Sequence, residues 1–217
     1  MTSPSDGGYN TLDGGALDTD GVERLALFPT IFWRFRLGDE ELLSDLAQRV
    51  VNERETSAGR TVSNEGGWQS EPWESNAPIV GALHRVLLSA ARVAFDDLGL
   101  TTDLPLIART WANSNKAGDS NRAHSHGSAV LAAVLYVQTG ETPGQLSLLD
   151  PRLAAFTGPT PAEATEINRR EFRFSPSAGD LVLFPGWVLH RVNPGTPGTG
   201  ARISIAANIA ARPETSP

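Results

Sequence analysis

From residue 106 onward the chain runs in short apolar bursts, several of them alternating with polar positions: "LIARTWA", "AVLAAVLYV", "QLSLL", "EFRF", "DLVLF", "WVLHRV" and "RISIAANI", separated by Gly, Pro and Asp. Successive side chains of an extended chain point to opposite faces, so these runs predict strands. The first half has a different period. In "DEELLSDLAQRVVNER" (39–54), Leu42, Leu43, Leu46, Val50 and Val51 fall on a helical stripe, with acidic residues in the first turn where the helix dipole favours them. A second helix is predicted between Pro78 and Gly99, with Ile79, Val80, Leu83, Val86, Leu87, Ala90, Val93 and Ala94 on one face. Both should pack against a sheet. "LALFPTIFWRFRL" (25–37) reads as a strand that stops at Gly38, and the aperiodic stretch 56–75, which carries Trp68 and Trp73, reads as a covering loop.

Many short strands with turn signals, preceded by two helices, predict a mainly β fold with supporting helices: an antiparallel sandwich or barrel of jelly-roll type. At 217 residues one domain with a sizeable core is the expectation. Its bounds are read as 24–211, between an acidic tail over 1–23, expected to be flexible, and a short tail over 212–217.

Composition narrows the chemistry. With no cysteine there is no disulfide, thiolate zinc site or cysteine nucleophile, so a metal would need imidazole and carboxylate ligands. A net charge of -7 without a basic cluster argues against nucleic acid as a partner. The first 21 residues have neither an apolar signal core nor a basic start, and no apolar run approaches the 18 residues of a spanning segment, so a cytoplasmic protein away from membranes is expected. Seventeen arginines stand against a single Lys116, a bias that fits a GC-rich bacterial genome.

The chain has four histidines, and two of them, His124 and His126, flank one serine directly before an apolar run. If 124–126 is extended, both rings can face one point, which is a metal-ligand spacing. His190, in "FPGWVLHRV", is a third candidate. His84, on the second helix, reads as a hydrogen-bonded core or surface residue. In "RISIAANI", Arg202, Ser204 and Asn208 share one face while Ile203, Ile205 and Ile209 take the other. A buried arginine is costly unless paired, so Arg202 should hold an anion or an ion-pair partner.

In the order "LFPTIFW", "GGWQS", "WANSN", "HSHGSAVLAAVLYV", "LLDPR", "GDLVLFPGWVLHRVNPG" and "RISIAANI", with 12 residues from His190 to Arg202, the chain resembles the iron(II) and 2-oxoglutarate dependent oxygenases, in particular a small bacterial and phage subgroup. The resemblance implies a double-stranded β-helix, a cupin-like jelly roll, using Fe(II), 2-oxoglutarate and O2. It makes His124 the proximal and His190 the distal histidine, with Arg202 and Ser204 on the distal carboxylate of 2-oxoglutarate. Asn113 is a further candidate for binding that acid, or a strand cap. The implied reaction is hydroxylation of an unactivated C–H bond, on a small molecule that is free or tethered to a carrier protein. Natural-product tailoring would suit an isolated bacterial oxygenase.

One position departs from the superfamily. Where most members carry the carboxylate of a two-histidine, one-carboxylate triad, this chain has His126. Three readings stay open. His126 is the third ligand; or Asp150, from "LLDPR", completes the triad; or His126 is itself the proximal histidine and Ser128 marks a vacancy, as in related halogenases. A three-histidine cupin-type metalloenzyme without 2-oxoglutarate and a non-catalytic jelly-roll binding module are the rival functions. Residues 158–171, with Arg169 and Arg170, the neighbouring Arg152, and loop 56–75 are the expected places for substrate contacts. Trp68, Trp73 and Trp187 read as packing residues.

Overall fold

A computed structural model describes residues 23, 25–100, 103–141, 144–152, 159–163, 165–197 and 200–213. The elements are β1 (Trp33–Arg36), α1 (Glu40–Thr56), β2 (Asn64–Glu65), β3 (Trp68–Gln69), α2 (Pro78–Asp97), β4 (Asp103–Asn115), β5 (Ser120–His124), β6 (Leu131–Gln138), β7 (Leu146–Leu149), β8 (Glu171–Phe174), β9 (Asp180–Pro185), β10 (His190–Val192) and β11 (Arg202–Pro213). They form two antiparallel sheets. A major sheet runs β1-β9-β6-β11-β4-β3 and a minor sheet β2-β5-β10-β7-β8. This is the double-stranded β-helix, with the two helices laid on the outer face of the major sheet. Of the expected tail over 1–23, all but residue 23 lies outside the described residues, whereas β11 continues to Pro213, past the boundary expected at 211.

The helices start and stop where their chemistry allows. Asp39 caps α1, its side chain accepting from Leu42 N at 3.0 Å, and Glu40 and Glu41 follow in the first turn. Pro78 opens α2. Gly99, at φ +71, closes it, with Leu100 N donating to Phe95 O at 2.9 Å in the left-handed turn that glycine favours. Two predicted core positions turn outward: Val51 is 41% exposed and Val93 47%. Both lie at the edge of their stripe, where a repeat of 3.6 residues drifts away from the sheet; Ala91 and Phe95 are buried instead.

By length and mean hydropathy (1.3) α2 could cross a bilayer, contrary to the expectation that no segment is long and apolar enough. Val80, Leu83, Leu87 and Ala94 on its inner side are fully buried in the core shared with α1 and the major sheet. A second, inner core lies between the sheets around Ala132, Tyr136, Leu146, Phe174, Val182 and Phe184. The alternation of each strand thus feeds two cores. On β11, Ile203, Ile205 and Ile209 face the helices while Arg202, Ser204, Ala206 and Asn208 take the opposite face, toward the interior of the jelly roll.

Three expectations are corrected in detail. Only Trp33–Arg36 of the predicted strand 25–37 pairs, with β9; Leu25, Leu27 and Phe28 lie exposed around Pro29. Residues 187–189 of "WVLHRV" are not in the strand, and Val188 N donates to Pro185 O, closing a turn before β10. The stretch 56–75 holds β2, which pairs with β5, and β3, which pairs with β4, so it joins the two sheets along one side of the jelly roll.

Candidate active site

The site begins with a register. In the antiparallel pairing of β5 and β10, His124 stands directly opposite His190, and their ring centroids are 4.4 Å apart. His126 lies two residues past the end of β5. Its backbone N–H donates to Gly186 O at 2.7 Å, and its own carbonyl accepts from Ala129 N at 2.8 Å. This hydrogen-bonded turn carries the third ring in, 5.1 Å from each of the other two. One nitrogen from each imidazole falls within 4.8 Å of the others, close enough for a single ion to engage all three.

Hydrogen bonds choose which nitrogens would be free to face an ion. His124 Nδ1 lies 2.7 Å from Arg122 O and His190 Nδ1 2.9 Å from Val188 O. A carbonyl can only accept, so each Nδ1 carries the proton and each Nε2 presents its lone pair. Burial, reinforced by the neighbouring His124, lowers the pKa of His126 to about 4. Burial also takes His190 to about 3; its hydrogen bond to Val188 O opposes this, and His124 and His126 add to it. His126 and His190 are therefore neutral at pH 7, as metal ligands must be.

Behind the histidines is a cavity of about 300 Å³. Its walls include Asn113, Tyr136, Arg202 and Ser204. Ser204 is in register with Asn113 on one side and Tyr136 on the other, which brings the three polar groups to one level. Arg202 is 5% exposed and donates from one terminal nitrogen to Gly144 O at 2.9 Å. Its Nε is buried without a partner, and no carboxylate pairs with it among the described residues. Burial holds its pKa below the usual arginine value, offset in part by Tyr136 and Asp119. Burial likewise pushes the Tyr136 phenol up to about 12, despite the opposing charge of Arg202, so it remains a hydroxyl donor. A buried guanidinium with an orphaned N–H, beside two hydroxyls, fits a carboxylate.

The other candidates lie apart from this cluster. Asp150 is bound by its neighbour, accepting from Arg152 N at 3.0 Å and from its guanidinium at 2.6 Å, and that bond holds the carboxyl below its usual pKa. It is not in the metal-ligand cluster. Ser128 is exposed in the turn beyond His126. His84 reaches Thr110 Oγ1 at 3.0 Å from α2. Trp68 and Trp73 donate to Ser57 O and Glu53, and Trp187 is half exposed. Arg169 is exposed and Arg170 partly so.

Tyr136 and Trp111, whose ring is 5.7 Å from that of His126, were not singled out from the sequence. Tyr136 carries the only polar group among the inward positions 132, 134 and 136 of β6, and that alternation could have flagged it.

Residues 109–208 match a family model described as "Putative 2OG-Fe(II) oxygenase". The fold is similar to a prolyl-4-hydroxylase from Pseudomonas putida, at 18% identity and a TM-score of 0.59, over 83% of this chain and 92% of that one. It is also similar to HygX from Streptomyces hygroscopicus, solved with nickel and 2-oxoglutarate, at 11% identity and 0.59 over 83% of each chain. A third similar structure is the epimerase SnoN with Fe3+, α-ketoglutarate and nogalamycin RO, at 11% and 0.60 over 85% of this chain and 81% of that one. No curated protein matches the sequence.

Proposed function

For a chain that belongs with the iron(II) and 2-oxoglutarate dependent oxygenases, we propose that His124, His126 and His190 hold the iron and that Arg202, Ser204 and Tyr136 hold the distal carboxylate of 2-oxoglutarate. The enzyme uses Fe(II), 2-oxoglutarate and O2. Bound together, these supply oxidative decarboxylation to succinate and carbon dioxide coupled to oxidation of a substrate C–H bond. The observation that carries the assignment is the pairing, in one cavity, of three clustered imidazoles with a buried guanidinium that lacks an anion.

The residues divide the work. The Nδ1 hydrogen bonds of His124 and His190 fix ring orientation and tautomer before any ligand arrives, which lowers the reorganisation needed for binding. Arg202 gives the acid a charged anchor at the far end, and the hydroxyls of Ser204 and Tyr136 define its orientation. Asn113, in register with Ser204, is within the same layer and offers a further donor. Leu146, Phe184 and Val134 line the cavity and keep water from the reacting atoms.

Hydroxylation of a small molecule is the outcome proposed, with natural-product tailoring as its setting; similarity to SnoN, an epimerase from nogalamycin biosynthesis solved with nogalamycin RO, supports the small-molecule part of this reading. The test is an anaerobic titration of metal-free protein with iron(II) and then 2-oxoglutarate, following the visible charge-transfer band of the chelate. The band should form in the wild type, weaken in Arg202→Ala and be lost with iron in His126→Ala. Iron binding without a band would defeat the 2-oxoglutarate assignment, and iron retained by His126→Ala but lost by Asp150→Ala would move the third ligand to Asp150.

A further inference from the structure

The inward row of β4 and β11 does not stop at the acid pocket. Beyond Arg202 and Ser204 it continues through Ala206, in register with Trp111, to Asn208, in register with Arg109. Asn208 is four residue steps along the strand from Ser204, about 13 Å of sheet. The row therefore carries two arginines: Arg202, buried at the start of β11, and Arg109, exposed at the middle of β4, level with the last residues of β11 that β6 pairs. The side chain of Trp111, whose ring neighbours His126, lies between them at the level of the histidine cluster.

Two features at the level of Arg109 are unexplained by folding. Asn208 Oδ1 is buried with no hydrogen-bond partner, although its neighbour across the strand, Ala132, is part of the inner core. A buried acceptor left without a donor is costly, so such an atom points to a ligand that completes it. Arg109, at the same register, makes no ion pair among the described residues. The strand bulges immediately beyond, where Asn208 pairs with Arg109 but Ile209 with Ile107, and a bulge at the rim of a barrel re-aims side chains.

We propose that Arg109, Asn208 and Trp111 form the substrate-anchoring site, and that it takes a carboxylate bearing a nearby N–H donor, the chemistry of an N-acylated amino acid or a peptide C-terminus. Arg109 binds the carboxylate, Asn208 Oδ1 accepts the N–H, and the Trp111 ring packs on the substrate's body beside the histidines. Arg109 lies two residues from Trp111, about 7 Å along the strand. A substrate anchored there presents a carbon only a few bonds from its carboxylate to the metal position. This inference rests on the oxygenase reading above.

The test uses the protein loaded anaerobically with iron(II) and 2-oxoglutarate, titrated with N-acetyl-L-amino acids and with their methyl esters while the charge-transfer band is followed. At least one acid should shift the band, with its ester about tenfold weaker, the effect of one exposed charge-assisted contact. Arg109→Ala should abolish that acid-over-ester preference, and Asn208→Leu should weaken acid and ester alike, both with 2-oxoglutarate affinity within twofold of wild type. Equal binding of acid and ester, preference retained in Arg109→Ala, or no response to any acid overturns the inference. A band that never forms defeats the oxygenase reading itself, so the two failures are separable.

Discussion

Replacing Arg202 by methionine should have opposite effects on ligand binding and on the stability of the ligand-free protein. The guanidinium is 5% exposed, spends one N–H on Gly144 O and leaves Nε unpaired, while burial lowers its pKa. Without a bound anion this is an interior charge that Tyr136 and Asp119 offset only in part, and an apolar side chain of similar length relieves that cost. The ligand-free variant should therefore unfold within a few degrees of the wild type or above it. For 2-oxoglutarate the sign reverses. Losing a charge-assisted anchor and leaving the carboxylate buried without its counter-charge costs about 3–4 kcal/mol, or a 10²- to 10³-fold weaker Kd. Differential scanning fluorimetry under nitrogen reads both terms. At 2-oxoglutarate about 100 times the wild-type Kd, binding adds about 2.7 kcal/mol, a rise of roughly 5–10 °C in Tm for a chain of this size. The variant should show almost none of that rise. A variant that keeps its affinity within threefold, or that melts far below the wild type without ligand, would show that Arg202 serves packing and would refute the argument.

Other consequences can be tested on the metal-free protein. In Gly186→Ala the new Cβ collides with the carbonyl oxygen of Ala129 and comes to 2.8 Å from that of His126; the turn carrying His126 must move, so iron affinity should fall at least about tenfold, checked by titration. Glu171 is opposed by burial but held down to a pKa of about 2 by hydrogen bonds from Ser147, Arg173 and Arg191. Between about pH 4.5 and 2 the unfolded chain binds this proton and the native one does not, so stability is lost as pH falls through that window. Glu171→Gln should lower Tm at pH 7 and flatten its decline below pH 4.5; an unchanged slope would contradict the network. Leu83→Ala, fully buried between α2 and the major sheet, should cost about 2–5 kcal/mol in denaturant unfolding without altering iron binding.

Local sequence determined the elements because their signals are local. Asp39 and Gly99 mark helix ends through hydrogen bonds and a left-handed turn made within a few residues, and the alternation in "RISIAANI" separates Arg202 and Ser204 from the isoleucines with no knowledge of the partner strand. Its limit shows at "SNRAH", which has no apolar run and becomes β5 only because β2 and β10 supply hydrogen-bond partners on both sides. Conversely, Leu25 to Phe28 have strand-like composition but form no strand pairing among the described residues and stay exposed. The site needed the tertiary structure most. Spacing made His124, His126 and His190 candidates, but only the pairing of β5 with β10 puts His124 opposite His190, and only the hydrogen bond from His126 N to Gly186 O swings the third ring toward them. Asp150 was the alternative third ligand in sequence and is claimed by Arg152, two residues away. Side-chain type and alternation are properties of one strand, whereas which rings converge depends on register between strands far apart in sequence, and that is decided by packing two sheets around a shared core.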